Sequence, residues 1–330
     1  MKDFMINLQL FANELQTTLL DGLSVEMKTF YDMTLIDEAS PALVHEQFGQ
    51  KRPIPKNGGK TIEFRKFSPL AKATTPLTEG VTPDGKSLNV TAITATVSQY
   101  GDYITQSDVL ELTALDNTIL EATKLLGKQA GATLDTIVRD ILVAGTNVSY
   151  ASKWAGDTET VVTSRKNLDA TATLKVDTIQ QAVAKLRAQN APTIGGKYVA
   201  IIHPYVAYDL MSDPAWIDAH KYAKPDNLYE GEIGEIGGVR FVQTTEAKIY
   251  DGGVFGTLIF GEGAYGVTEI TGGGLETIVK QKGSAGTADP LDQRSSVGWK
   301  AIKTAELLIP NYLVRVESKS AVFSATATAN

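Results

Sequence analysis

The sequence predicts an α+β fold, with a long helix, a pair of extended strands and a mixed α/β segment in different parts of the chain. Three observations support this prediction. Apolar residues recur at helical spacing between Asp116 and Gly145, strand-like runs flank a connector at 68–87, and helix and strand patterns alternate from 177 to 265. With 330 residues, of which 43% are hydrophobic, the chain can bury a sizeable core as one elaborate domain or two lobes.

The longest helix is expected to begin after Asp116, whose side chain can cap the first turn, and to end before Gly145. About 29 residues at 1.5 Å each make a rod of about 43 Å, on which other elements can lie. The apolar residues at three- and four-residue steps are Ile119, Leu126, Ala130, Leu134, Ile137, Val138, Ile141 and Leu142.

Two strand patterns flank the connector. Residues Thr61 to Phe67 begin with alternating polar and apolar residues, and Leu88 to Ile104 changes parity along its length, which predicts a bulge or bend. The connector at 68–87 is rich in proline and glycine, and a connector of this length is usually functional or disordered. A projecting two-stranded ribbon is only marginally stable in water, so we expect it to need an outside partner.

Helices and strands alternate from 177 to 265. Asp177 is the predicted N-cap of a second helix, and Pro204 and Pro214 are expected to open two short ones. The strands predicted here and in the last third of the chain are Tyr198–Ile202, Val239–Val242, Val254–Phe260, Leu275–Lys280, Trp299–Lys303 and Leu307–Glu317. The small residues at 324–330 have little to bury and are expected to fray.

Residues 1–45 are expected to form an arm. A short amphipathic helix is predicted from Asn13 to Tyr31, broken near Gly22, and its apolar face packs either on its own body or on a neighbouring subunit. Polar residues interrupt any signal-peptide core near the N-terminus, and no apolar run approaches the roughly 20 residues of a membrane span. We therefore expect the protein to act in the cytoplasm of the cell that makes it, without a membrane partner.

Composition excludes several classes of protein. The chain has 31 basic and 38 acidic residues, a net charge of −7 and no basic stripe, which disfavours sequence-specific nucleic-acid binding. A neutral or acidic wall that encloses DNA without gripping it is still allowed. Cysteine is absent, which excludes disulfides and thiolate metal sites.

No catalytic, cofactor or metal site is predicted. The segment Gly261–Gly266 matches G-x-G-x-x-G, but no helical pattern follows it and Glu262 would repel a pyrophosphate, so a tight glycine turn is the better interpretation. His45, His203 and His220 lack the spacing of helical metal sites, and His203 is expected to end a strand and bond locally.

One glycine-rich run resembles a known family. Residues 227–244, Asn-Leu-Tyr-Glu-Gly-Glu-Ile-Gly-Glu-Ile-Gly-Gly-Val-Arg-Phe-Val-Gln-Thr, resemble the major capsid proteins of tailed bacteriophages, in particular the branch named after the coat protein of phage N-four. Residues 289–300, Asp-Pro-Leu-Asp-Gln-Arg-Ser-Ser-Val-Gly-Trp-Lys, look like a second block of that branch, and Asn7–Ala12 resembles a frequent opening of phage coat proteins. The match covers most of the chain in order.

The resemblance implies the tailed-phage major capsid fold, with an N-terminal arm, an extended β-hairpin loop, a peripheral lobe and an axial lobe. The implied boundaries are 1–45 for the arm, 46–105 for the extended loop and flanking strands, 106–176 for the peripheral lobe with its spine helix, 177–268 for the mixed α/β axial lobe, and 269–330 for the return to the peripheral lobe and the C-terminal tail.

The implied function is structural and non-enzymatic. Copies would form pentamers and hexamers of an icosahedral head shell that encloses double-stranded genomic DNA, assembled in the host cytoplasm and carried in the virion. Portal and decoration proteins are implied partners. The short arm shows no large scaffolding extension, so a separate scaffolding protein is also expected.

Two sets of residues are candidates for contacts between subunits. Charged side chains of the extended loop would fix register, although solvated side chains explain them equally well; they are Glu63, Arg65, Lys66, Lys72, Glu79, Asp84 and Lys86. Glycines would give the axial loop freedom to meet five or six copies, against ordinary turns as the alternative; they are Gly231, Gly234, Gly237 and Gly238. The rival functions are a bacterial nanocompartment shell of the same fold and a hydrolase with a carboxylate pair.

Overall fold

Helices and strands are distributed along the whole of the described chain. A computed structural model describes residues 25–39, 43–67, 70–82, 84–113, 118–156, 158–221, 234–284 and 289–330. Only the backbone is described for residues 25–30, 220 and 221. The helices are α1 (Val25–Ala39), α2 (Asp108–Thr113), α3 (Thr118–Val143), α4 (Val176–Ala188), α5 (Pro204–Met211) and α6 (Pro214–Lys221). The strands are β1 (Gln50–Lys51), β2 (Thr61–Phe67), β3 (Val90–Thr96), β4 (Ser98–Ser107), β5 (Val148–Tyr150), β6 (Lys153–Ala155), β7 (Thr158–Thr160), β8 (Tyr198–Ile202), β9 (Glu235–Ile236), β10 (Val239–Gln243), β11 (Ile249–Tyr250), β12 (Val254–Phe260), β13 (Tyr265–Glu269), β14 (Glu276–Lys280), β15 (Arg294–Leu307) and β16 (Leu313–Lys319).

These elements form two compact units. The first unit takes its described residues from 1–38, 101–128 and 275–300, and the second from 39–100, 129–274 and 301–330. The α+β class predicted from the sequence is confirmed, whereas the predicted lobe boundaries stay a prediction. The long helix is confirmed as α3, and its predicted cap, Asp116, lies outside the described residues.

The second unit is built on a seven-stranded sheet in the order β5-β16-β12-β8-β10-β9, with β11 beside β12. Every residue of β8 is buried, and successive side chains point to opposite faces. Tyr198, Ala200 and Ile202 join the core that includes α4 and α5, while Val199 and Ile201 join a second core that includes the C-terminal half of α3. A strand covered on both faces explains why this run is apolar throughout.

The predicted N-cap of α4 is wrong. The helix begins at Val176 with Lys175 in the capping position, and Asp177 instead accepts a hydrogen bond from Gln181 at 2.7 Å. The backbone N–H of Val176 donates to Asp213, which directly precedes α6, at 2.9 Å. A carboxylate 37 residues away in sequence therefore accepts the hydrogen bond from the backbone N–H at the start of the helix, in place of a local cap.

The extended strands form a ribbon of β2 and β3. Seven antiparallel pairs run from Thr61↔Thr96 to Phe67↔Val90. The bulge or bend predicted from the change of parity between Val90 and Ile93 is wrong, because β3 pairs with β2 without interruption there. The run breaks instead at Val97, which separates β3 from β4. At about 3.3 Å per residue the paired strands span about 23 Å.

In the first unit, β14 pairs with residues 296–300 of β15, and β4 lies beside the same strand. Glycines allow this close approach: a Cβ at Gly101 would lie 2.5 Å from the carbonyl oxygen of Trp299. Helix α1 packs on α3 at Gly127, where a Cβ would lie 2.8 Å from the carbonyl oxygen of Leu35. The helix predicted from Asn13 to Tyr31 overlaps α1 only in part, and its predicted break near Gly22 lies outside the described residues.

Two predictions for the C-terminal third need correction. The strand predicted from Leu307 to Glu317 is two strands, because a 3-10 turn at Pro310–Tyr312 separates β15 from β16. The last residues were expected to fray, yet Phe323 stacks on Tyr205 at 4.3 Å and Asn330 bonds to Ile249. Small residues bury little by themselves, but a polar sheet edge supplies the hydrogen-bond partners that hold this segment in place.

The junction between β8 and α5 confirms the prediction for His203. The ring Nδ1 accepts the backbone N–H of Tyr205 at 3.2 Å and caps the helix. The ring also lies 5.0 Å from that of Phe255, centroid to centroid. Burial lowers the pKa of His203 below its ordinary value, because the protonated ring is poorly solvated there.

We expect Phe64→Ala to lower the free energy of unfolding by about 3 kcal/mol, because it removes a buried ring. The matched control is Phe67→Ala on the same strand, where the side chain is 59% exposed and the expected change is below about 0.5 kcal/mol. Urea unfolding of the unassembled subunit measures both values. Equal losses for the two variants would show that the ribbon is not anchored at Phe64.

The variant His203→Asn should keep the helix cap and remove the titrating ring. The unfolded pKa is about 6.5 and the folded pKa is lower, so the wild-type protein loses stability as the pH falls from about 6.5 towards the folded value. The free energy of unfolding of the variant should fall less steeply over this window, whatever constant offset the lost ring contacts introduce. Parallel curves of unfolding free energy against pH would contradict this assignment.

Candidate inter-subunit surface

The base of the ribbon is fixed to the second unit. Phe64 is 3% exposed and packs in a small cluster with Ala95 and Leu308. Its ring lies against Gly266 of β13, where a Cβ would come within 2.7 Å of the ring. The glycine therefore makes room for the aromatic ring, and this contact sets where the ribbon leaves the body.

The far end of the ribbon is uncovered. Phe67 is 59% exposed and Leu77, in the connector, is 78% exposed. All described residues between 70 and 89 are exposed. The large apolar side chains exposed on this ribbon end are Phe67, Leu70, Leu77, Val81, Leu88 and Val90. Exposed apolar side chains concentrated in this way indicate an interaction surface.

The charged candidates lie on the same ribbon. Glu63, Arg65 and Lys66 are on β2, where Arg65 pairs with Glu63 at 3.2 Å. Lys86 donates to the carbonyl oxygen of Ala71 at 3.2 Å, which ties the two ends of the connector together. The other three, Lys72, Glu79 and Asp84, are exposed and make no ion pair with the described residues. The structure thus brings these side chains together on one projecting element, with both signs of charge.

The glycine candidates are only partly described. Gly231 lies outside the described residues, and Gly234 has a φ of +78°. Gly237 and Gly238, with φ of +61° and +80°, form the two-residue turn between β9 and β10. A two-residue hairpin turn of this type needs positive φ at both positions, so an ordinary turn accounts for this pair. Their role in contacts between copies stays a prediction.

A second exposed apolar surface, which was not predicted from the sequence, lies in the first unit. Helix α2 has no buried side chain, although Val109, Leu110 and Leu112 make up half of it. An ion pair between Glu111 and Lys282 at 2.9 Å holds the helix in place. The large apolar side chains exposed in this unit are Met33, Ile36, Tyr103, Val109, Leu110, Leu112, Leu125 and Leu291. The signal in the sequence was an apolar cluster directly after a strand, with no helical periodicity to suggest that it is buried.

A catalytic interpretation fails at the most enzyme-like pair of residues. His45 Nδ1 lies 2.7 Å from Asp135 Oδ2, and the backbone N–H of His45 donates to Asp135 Oδ1 at 2.7 Å. Both residues are fully buried, and His45 Nε2 has no hydrogen-bond partner among the described residues. The hydroxyl of Tyr265 donates to the carbonyl oxygen of His45 rather than to its ring, and burial raises the pKa of Tyr265. The pair clamps the chain to α3, and no substrate can reach it.

Other expected features of an enzyme site are also lacking in the described part of the chain. Three open grooves have volumes of about 280, 420 and 370 Å³, and none is lined by two carboxylates. Within the described ranges, no three histidine, aspartate or glutamate side chains lie close enough together to hold a metal ion.

No described helix is both long and apolar enough to cross a bilayer.

Solved structures with a fold similar to that of this chain include phage capsids. The chain resembles the capsid of cyanophage Pam1 with a TM-score of 0.64 and 13% identity, over 98% of this chain and 100% of that one. It resembles the head of Helicobacter pylori bacteriophage KHP40 with a TM-score of 0.63 and 13% identity, over 82% and 88%. A virus-like particle from Pyrococcus furiosus gives a TM-score of 0.50 and 13% identity, over 88% and 100%. No curated protein matches the chain.

The family is shown by the sequence itself. The sequence profile of the phage capsid proteins matches residues 69–307, which is more than half of the chain. The match includes most of the connector, α3 and every strand of the seven-stranded sheet except β16, so it reaches into both of the compact units. The chain therefore belongs to the phage capsid protein family and is a structural protein, not an enzyme.

Proposed function

We propose that copies of this chain assemble through the ribbon and the apolar surface of the first unit into the icosahedral head shell of a tailed phage. The observation that carries the proposal is the contrast between Phe64, which anchors the ribbon base, and the exposed side chains at the ribbon end. The chain holds this element in place without covering it. Neighbouring copies, arranged as pentamers and hexamers, supply the missing cover.

The energetics favour many modest contacts over one tight contact. Burying a large apolar side chain fully is worth about 1.5–3 kcal/mol, and part of that gain is spent on ordering the partners. A ribbon that overlaps a neighbour adds its contacts to those of the body, so avidity rises while each single contact stays reversible. Reversible contacts let misplaced subunits leave before the shell closes.

The ribbon charges set register in this proposal. Exposed ion pairs contribute about 0–1 kcal/mol each, so these side chains add little affinity. Opposite charges on neighbouring copies would favour one alignment of the ribbon and penalise others. Glycine freedom at Gly231 and Gly234 would let the neighbouring loop adapt to both five and six copies.

The shell would enclose double-stranded DNA in the virion without binding its sequence. The net charge of −7 supports this role, because a wall that does not attract phosphate lets packed DNA move during filling. Assembly would take place in the cytoplasm of the host bacterium. The blocks at 227–244 and 289–300 support the branch named after the coat protein of phage N-four, with separate scaffolding, portal and decoration proteins as partners.

The alternative is a nanocompartment shell. Its support is a likeness, at a TM-score of 0.50, to a structure from Pyrococcus furiosus that is described as a virus-like particle and not as a phage capsid. The likeness to phage capsids is higher, at 0.62–0.64 for several of them, and the matching family is one of phage capsid proteins. The contents of purified particles separate the two: DNA supports the head shell, and a single foreign protein supports the nanocompartment.

Deleting residues 70–86 should leave a folded subunit that forms no shells. The deletion keeps five residues between Phe67 and Val90, which is enough for a hairpin loop, and Phe64 remains buried. Circular dichroism checks the fold and electron microscopy checks for particles. Particles of normal size and shape after this deletion would refute the role of the ribbon.

A matched pair of point variants tests the apolar part of the same surface. Leu77→Ser should reduce the yield of particles at a fixed protein concentration, because a side chain that a neighbour covers becomes polar. Thr78→Ser, at the next exposed position, should leave the yield close to that of the wild type. Equal yields from the two variants would exclude Leu77 from the contact.

Expression of the chain alone tests the proposed scaffolding partner. Without that partner we expect open sheets or particles of mixed size, because nothing fixes the curvature. Uniform closed shells of the correct size would contradict the proposal of a separate scaffolding protein.

A further inference from the structure

The outer edge of β11 carries polar backbone groups that β12 does not use. Ile249 stands opposite Phe255 in the β11–β12 register, and the neighbouring bond runs from the N–H of Gly256 to the carbonyl oxygen of Lys248 at 2.8 Å. In an antiparallel pair, bonded and non-bonded positions alternate, so the N–H and C=O of Ile249 point away from β12. These two groups are what an additional strand would bind.

Asn330 occupies this edge. The N–H of Ile249 donates to Asn330 Oδ1 at 2.9 Å, and the backbone N–H of Asn330 donates to the carbonyl oxygen of Ile249 at 3.2 Å. Asn330 Nδ2 donates to the carbonyl oxygen of Ala247 at 3.2 Å, and Lys248 Nζ donates to the backbone oxygen of Asn330. One residue thus satisfies the edge with both its side chain and its backbone.

The segment that leads to Asn330, residues 320–330, is anchored separately at its start. Ser320 is fully buried, its N–H donates to Ser324 Oγ at 2.7 Å, and the N–H of Ala321 donates to Asp209 at 3.1 Å. Phe323 stacks on Tyr205 at 4.3 Å between ring centroids. The start of the segment can therefore stay in place when its end is released.

The middle of the segment crosses the turn between β11 and β12. A Cβ at Gly253 would lie 1.9 Å from the carbonyl oxygen of Ser324, so only glycine allows the segment to pass there. Residues 325–330 are small or short polar residues, and all but Ala327 are exposed. So little buried apolar area holds the end only weakly, as expected of a segment that opens locally.

We propose that residues 320–330 form a removable cap, in which Asn330 closes the β11 edge and its release opens a strand-pairing site for a second copy of this chain. The second copy is the occupant because the edge is self-complementary. Ile249 presents one donor and one acceptor, and two such edges related by a two-fold axis exchange both hydrogen bonds. The cap keeps unassembled subunits from pairing edge to edge, independently of the ribbon.

Two variants should release the cap. Asn330→Ala removes the side-chain bonds to Ile249 and Ala247, and Gly253→Ala pushes the segment off the turn. The matched control for the second variant is Gly252→Ala: its φ of +78° gives comparable backbone strain, but nothing lies within 4 Å of the added Cβ. We expect the Ile249 amide to exchange with deuterium about tenfold faster, or more, in both releasing variants than in the wild type and in the control.

Pairing with a second copy is tested in the same full-length, unassembled proteins. Sedimentation velocity should show dimers of Asn330→Ala and Gly253→Ala that grow with concentration, and exchange at Ile249 should slow again as the dimers form. Exchange in the releasing variants equal to that of the wild type would overturn the cap. Fast exchange with no dimer at any concentration would overturn the second copy as the occupant.

Discussion

A two-stranded ribbon has two faces and no interior, so the ribbon of β2 and β3 cannot bury its own apolar side chains. The rest of the chain buries a ribbon side chain at one end only, where the ring of Phe64 packs against Gly266. At the other end Phe67 and Leu77 stay exposed. The proposed shell depends on this difference between the two ends. Every copy presents the same exposed ribbon end, held in the same position by the packed base, and a neighbouring copy can cover it.

Local sequence patterns were sufficient to predict the bounds of helices and strands that neighbouring residues determine. β8 and β12 have the predicted bounds, because a short apolar run between turn residues fits a strand that is buried on both faces. The two short helices begin at Pro204 and Pro214 as predicted, since proline has no N–H to lose in a first turn. The glycine turn at Gly261–Gly266 leads into another strand, β13, and not into a helix, as its sequence predicted.

Features that depend on distant residues could not be predicted. Asp213 supplies the hydrogen bond at the start of α4, and no pattern near Val176 indicates this. Glu317 is fully buried between two arginines, at 2.6 Å from Arg165 and 3.0 Å from Arg315, although it looks like a solvated strand residue in the sequence. The exposure of the candidate side chains could not be predicted either, because a residue type does not reveal whether the tertiary structure covers it.

Electron cryomicroscopy of particles formed by this chain can show directly what covers the end of each ribbon. We expect density for each ribbon across a neighbouring copy, with the Phe67 and Leu77 side chains covered by that neighbour. A ribbon folded back onto its own body, with these side chains covered from within the same chain or still facing solvent in the closed particle, would contradict this expectation.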